Sequence, residues 1–129
     1  MSEKEVTGPD TGRYVLGDRI VAVADVPWNP HPAFPGVFLR HLVLGRDTGG
    51  TISVHMVRVE PGGRLDAYIH EGQWEMHRVS AGDGVAVIDG REAEYLPGVA
   101  AVIPKGIRHE VTAGERGLML IAEFTPALM

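Results

Sequence analysis

Residues 62–82 read GGRLDAYIHEGQWEMHRVSAG, and no other stretch of the chain carries as much chemistry. His70, Glu75 and His77 fall within eight residues, although the whole sequence has six histidines. A strand over 74–80 would send Glu75, His77 and Val79 to one face and Trp74, Met76 and Arg78 to the other, because side chains alternate across a strand. One face thus sets a carboxylate and an imidazole beside Val79, and both are costly to bury unless they are paired or hold an ion.

The surrounding sequence has the same β character. Seventeen glycines and nine prolines punctuate it, and no long segment repeats with helical period. Turn signals stand at GRDTGG (45–50), EPGG (60–63), SAGDG (80–84), DG (89–90) and PKG (104–106). Between them lie short Val-, Ile- and Leu-rich runs that read as strands near 13–16, 19–24, 37–44, 51–60, 74–80, 85–88, 91–96, 100–103, 109–113 and 118–124. Many short strands at this spacing indicate an all-β sandwich or barrel. VIDGRE predicts a hairpin with a type I′ turn at Asp89-Gly90. Residues 1–12 read as a loose tail. VPWNPHPAFPGV (26–37), with its four prolines, reads as an extended strap that cannot pair centrally in a sheet.

Parity extends the inward face. In 52–59, Arg58 marks one face as outer and leaves His55, Val57 and Val59 inward; in 38–44, Arg40 leaves Leu39, His41 and Val43 inward. His41, His55 and His77 then share one interior. The outer faces also carry Leu42, Leu44, Ile52, Val54 and Met56, which predicts a second covered surface formed by a subunit interface. Trp74 and Met76 are expected to pack outward against that partner. His31, in the strap, is expected to be exposed and inert.

Composition removes several classes. At 44% hydrophobic and 22% charged, the chain has the make-up of one globular domain. A net charge of -5 with singly scattered arginines argues against nucleic acid as a partner. The absence of cysteine rules out disulfides, thiolate catalysis and zinc-thiolate sites. No apolar run approaches membrane-span length, and MSEKEVTGPDTG lacks the apolar core of a signal peptide, so a cytoplasmic location is the default expectation.

Imidazole and carboxylate without thiolate suit divalent Fe, Mn, Ni, Co or Zn. His70 and Glu75 are placed to converge, and His109, after the turn in PKGIRHE, is the best third ligand.

The spacing then becomes specific. Gly62, Tyr68, His70, Glu75 and Gly82 read G-x5-Y-x-H-x4-E-x6-G, and Gly98, Pro104, Gly106 and His109 read G-x5-P-x-G-x2-H. Together these resemble the two signature motifs of the cupin superfamily, G-x5-H-x-H-x3-4-E-x6-G and G-x5-P-x-G-x2-H-x3-N. The resemblance spans 62–113, with a short gap between motifs as in small single-domain, RmlC-like members. It implies an antiparallel jelly-roll β-barrel over 13–129. It also implies one divalent metal held inside the barrel by His70, Glu75 and His109, with a small organic substrate or ligand and, by expectation, a homodimer.

Two positions depart from the pattern: Tyr68 replaces the first motif histidine and Ala113 the final asparagine. Tyr68, His77 and His55 are therefore candidates for an additional ligand or an acid/base role; the plainer reading of Tyr68 is a packed or hydrogen-bonded core tyrosine, and that of His77 and His55 is pocket lining or the orienting of a ligand. His41 and Gln73 are read as pocket-lining, with a satisfied core histidine and a loop glutamine as the plainer alternatives. The leading expectation is a metal-dependent enzyme of oxygenase, lyase or isomerase type. The alternatives are a non-enzymatic metal- or ligand-binding module and a metal-free, epimerase-like cupin using tyrosine and histidine.

Overall fold

The structure is a computed structural model that describes residues 12–129, apart from the side chains of Ala67 and Tyr68. The expected tail over 1–12 lies outside the described residues except for Gly12, whose carbonyl accepts from the Val23 N–H at 3.0 Å. Ten strands follow: β1 (Arg13–Val15), β2 (Ile20–Ala22), β3 (Asn29–Pro30), β4 (Val37–Val43), β5 (Ser53–Val59), β6 (Arg64–Tyr68), β7 (Trp74–Ile88), β8 (Arg91–Tyr95), β9 (Ala100–Ile103) and β10 (His109–Thr125). One short α-helix, α1 (Gly45–Thr48), occupies the turn read at GRDTGG, and a single 3-10 turn spans Val23–Asp25.

β7 and β10 organise the molecule, because each pairs with different neighbours along its two halves. The end of β10 pairs with β5 and with the start of β7, which also carries β9. The start of β10 pairs with β6 and with the end of β7, which also carries β8. Every pairing is antiparallel, and the hydrogen-bonded path β3-β4-β5-β10-β7-β8 does not close on itself. Two sheet halves that share their central strands and face each other make a jelly roll.

The strand pairs read separately at 74–80 and 85–88, and at 109–113 and 118–124, are in fact single strands. SAGDG is not a turn but a shift in register between Ala113 and Leu118, opposite Gly84 and Gly82. β6 was not expected, because RLDAY mixes charge with small residues and has no strong β pattern. The Asp89-Gly90 hairpin is as read: both residues have positive φ, 51° and 80°, as a type I′ turn demands. The proline strap contributes only the two-residue edge strand β3, where a missing N–H is tolerated.

One core lies between the layers and includes Val57, Val79, Tyr95, Val111, Leu118 and Leu120. A second lies on the outer face of β4 and β5, where Leu42, Val54 and Met56 pack with Val23, Tyr14 and Trp28. The cover expected from a partner subunit is therefore supplied there by the chain's own N-terminal segment. Arg40 and Arg58 fit the apolar layer by lying over the Trp28 ring, at 4.4 and 4.8 Å. Val43 joins this outer core instead of facing inward, because the register shifts between His41 and Val43 and reverses parity there.

Candidate metal centre

Register places the polar residues in two rows across the inner face. His41 pairs with His55, His55 with Ala122, and Ala122 with His77. Two residues further along, Ser53 pairs with Phe124 and Phe124 with Glu75. Because i and i+2 share a face, all of these point into one interior. Ala122, the small member of the first row, leaves room between the imidazoles. His70 enters from the loop between β6 and β7, and His109 from the first position of β10.

These residues line a cavity of about 220 Å³. All six histidines contribute to its wall, with Leu39, Leu120 and Phe124 among the apolar lining. His31, expected to be exposed, is among them. Its ring stacks on Phe34 at 4.6 Å, and its Nδ1 accepts from the N–H groups of Ala33 and Phe34 at 3.0 and 3.3 Å. Gln73 is half-buried in the loop before β7, and the cavity wall is formed without it.

Glu75 is the centre of the cluster. It is buried, with Oε2 2.7 Å from His77 Nε2. Its Oε1 lies 3.1 Å from His109 Nε2 and 3.4 Å from His70 Nε2. That oxygen is buried yet accepts no well-formed hydrogen bond. One donor atom from each of His70, Glu75 and His109 lies within 4.8 Å of the others. Ligands at about 2.1 Å from a common ion are separated by roughly 3.0–3.4 Å, so the spacing and the unpartnered oxygen both fit a bound divalent cation.

The electrostatics follow from the same geometry. Burial alone would raise Glu75, but the imidazoles of His109 and His77 outweigh it and bring the carboxyl down to about 2. Burial works against charge on His109, yet Glu75 and the Ile107 carbonyl raise it above the ordinary imidazole value. Burial lowers His70, against the opposing pull of Glu75. His109 Nδ1 lies 3.1 Å from the Ile107 carbonyl oxygen, to which it donates, so Nε2 is the nitrogen directed at Glu75. This is the usual way of fixing a metal-binding imidazole.

His77 is not part of the three-residue cluster. Both its nitrogens are engaged, Nε2 with Glu75 and Nδ1 with the Tyr95 hydroxyl at 2.8 Å. Since a carboxylate only accepts, His77 donates from Nε2 and accepts from Tyr95 at Nδ1. His55 lies on the other side of Phe124, whose ring meets both His55 at 5.6 Å and His70 at 5.0 Å. Tyr68 pairs with His109 through the backbone, but its side chain lies outside the described residues. Sequence reasoning missed Tyr95; the hairpin that brings it beside His77 was legible, but not the register across it.

This chain belongs to the cupin family: the model of the cupin domain matches residues 55–122, more than half of its length. No curated protein sequence matches it. Among solved structures it resembles KdgF from Halomonas sp., at 20% identity over 80% of this chain and 88% of that one, with a TM-score of 0.71. It also resembles a predicted oxalate decarboxylase from Thermotoga maritima, at 18% identity over 80% and 95%, TM-score 0.71. An RmlC-like cupin from Shewanella frigidimarina matches at 16% identity over 89% and 91%, TM-score 0.70. At such identities the likeness shows the fold.

Proposed function

We propose that this protein is a metal-dependent cupin in which His70, Glu75 and His109 hold one divalent first-row ion and the adjoining cavity receives a small organic molecule. The observation that carries the reading is Glu75 Oε1, buried without a hydrogen bond and faced by two imidazole nitrogens at 3.1 and 3.4 Å. When bound, the ion supplies Lewis acidity toward an oxygen-bearing ligand. The chain's own residues do the rest. His77 and Tyr95 orient Glu75, Phe124 and Leu120 exclude water, and Ile107 fixes the His109 tautomer. Three protein ligands leave positions open, which favours an enzyme over a closed binding module. A fold neighbour described as a predicted oxalate decarboxylase supports a small-molecule substrate.

Purified protein is expected to carry stoichiometric metal by mass spectrometry, and His70→Ala and His109→Ala are each expected to lose it while remaining folded. Protein that carries no metal and takes up none from zinc, manganese or iron(II) sinks the reading.

The homodimer forms through the outer face of β7 and β9 in this reading. Trp74 and Val102 are 43% and 62% exposed there and border an apolar groove with Ile52 and Met76. Sedimentation should show a dimer that Val102→Lys converts to monomer; a wild-type monomer at high concentration rules this out.

A further inference from the structure

The cavity holds a second polar group that the metal centre does not use. His41 Nδ1 lies 2.8 Å from His55 Nδ1, and His55 Nε2 lies 3.0 Å from Ser53 Oγ. Ser53 is fully buried, and its Oγ already accepts the Leu128 N–H at 2.9 Å. Among the described residues, His55 Nε2 is the one acceptor in reach of the hydroxyl proton. A buried hydroxyl is expensive to leave undonated, so Ser53 donates to His55 Nε2.

The remaining protons follow. With Nε2 accepting, neutral His55 carries its proton on Nδ1 and donates it to His41 Nδ1. His41 then carries its own proton on Nε2, which has no partner among the described residues, while the ring lines the cavity. Burial and the neighbouring His41 bring His55 down to about 4, which keeps it neutral at ordinary pH. Burial lowers His41 as well. The far wall therefore ends in a fixed, uncharged N–H donor. Apart from the histidines, Glu75 and Asp66, the cavity lining is apolar, with Leu39, Val57, Leu120 and Phe124 among it.

We propose that His41 is the ligand-reading residue of this cavity, donating its Nε2–H to a carbonyl or carboxylate oxygen of an otherwise apolar small molecule. His55 and Ser53 are positioning residues that set the direction of that proton. The inference rests on the cavity being the binding site of the proposed function, but not on the identity of the ion.

The tautomers can be measured without knowing the ligand, by multiple-bond ¹⁵N–¹H correlation of the histidine rings in zinc-loaded protein at neutral pH. The expected result is His55 protonated on Nδ1 and His41 on Nε2. His55 protonated on Nε2, or an imidazolium at either residue, overturns the proposal. Acetophenone, benzoate and benzylamine then serve as probe ligands of similar size. The His41 Nε2–H resonance should shift with acetophenone or benzoate and stay fixed with benzylamine. Whichever of the two acceptors binds more tightly distinguishes carbonyl from carboxylate recognition.

His41→Phe should weaken the tighter probe about ten-fold, the scale of one hydrogen bond, with zinc stoichiometry unchanged. His41→Gln, which keeps a donor, should recover part of that loss. Equal probe affinity in wild type and His41→Phe overturns the role of His41 and leaves the metal reading intact. Failure to bind zinc removes the metal reading instead, and the ring tautomers of the metal-free protein still decide the assignment of His41.

Discussion

Glu75 meets three imidazoles, at 2.7 Å from His77, 3.1 Å from His109 and 3.4 Å from His70, and the first is oriented by a buried side chain behind it. Tyr95 donates to His77, and His77 donates to Glu75 Oε2, which leaves Oε1 directed at the other two rings. Burial, with Glu75 adding to it, raises the Tyr95 hydroxyl well above the usual phenol value, so it remains a donor throughout the working pH range. Tyr95→Phe removes this donor without a large change of shape. It is expected to cost about 1–2 kcal/mol in urea unfolding, because His77 Nδ1 is left buried and unpaired. Metal affinity is expected to fall roughly ten-fold, as for other groups that orient a ligand from behind. Lost stability with unchanged zinc affinity would reduce Tyr95 to a packing residue. His70, Glu75 and His109 were legible in the sequence because their spacing is local to two motifs. Tyr95 was not, since its contact with His77 depends on the register of β7 against β8. His31 was misjudged because proline-rich sequence predicts exposure, while the strap in fact folds its ring against Phe34 at the cavity wall.

The long strands β7 and β10 decide where those ligands stand, and both depend on one crossing of backbones. At the register shift, Gly82 has φ +80°, and a methyl group there would run into the carbonyl oxygen of Gly117. Gly90 has the same φ of 80° in the β7–β8 hairpin, but open space where a side chain would project. The two positions separate backbone strain from collision. Gly90→Ala is expected to cost about 1 kcal/mol for its left-handed conformation alone. Gly82→Ala carries that strain and a clash with immobile backbone, so a loss of about 3 kcal/mol or more is expected, read from the urea midpoint. Equal costs would mean that β10 yields easily at Gly117. The same glycines explain why each strand was read as two: SAGDG has the composition of a turn, and only its partner strand shows that the chain runs straight through. The hairpin at Asp89-Gly90 was legible because its turn type follows from two adjacent residues.

At the scale of the molecule, all six histidines are gathered around one cavity, so its protonation and the stability of the fold are linked. Burial lowers His31, His41 and His70, and brings His55 from 6.5 to about 4. The unfolded chain binds these protons first as pH falls. Their stabilising contribution is therefore complete above about pH 6.5 and declines as pH falls below it; for His55 it is lost between there and about pH 4. For His55 the difference corresponds to roughly 3 kcal/mol. His109, raised by Glu75, acts oppositely, favouring the folded state below 6.5 and ceasing to do so as pH rises through its folded value. Glu75, lowered from 4.5 to about 2, loses its contribution only between those two values. The lowered histidines outnumber the raised one, so metal-free protein should lose stability steadily from pH 6.5 to pH 4 in urea titrations. His55→Gln should start lower at pH 7, because Ser53 and His41 lose their partner, and then fall less steeply across that window. Identical slopes for the two proteins would show that His55 does not titrate differently on folding. Metal should oppose the decline, because it binds only the folded cluster, and the stabilisation should grow with free metal concentration above the dissociation constant.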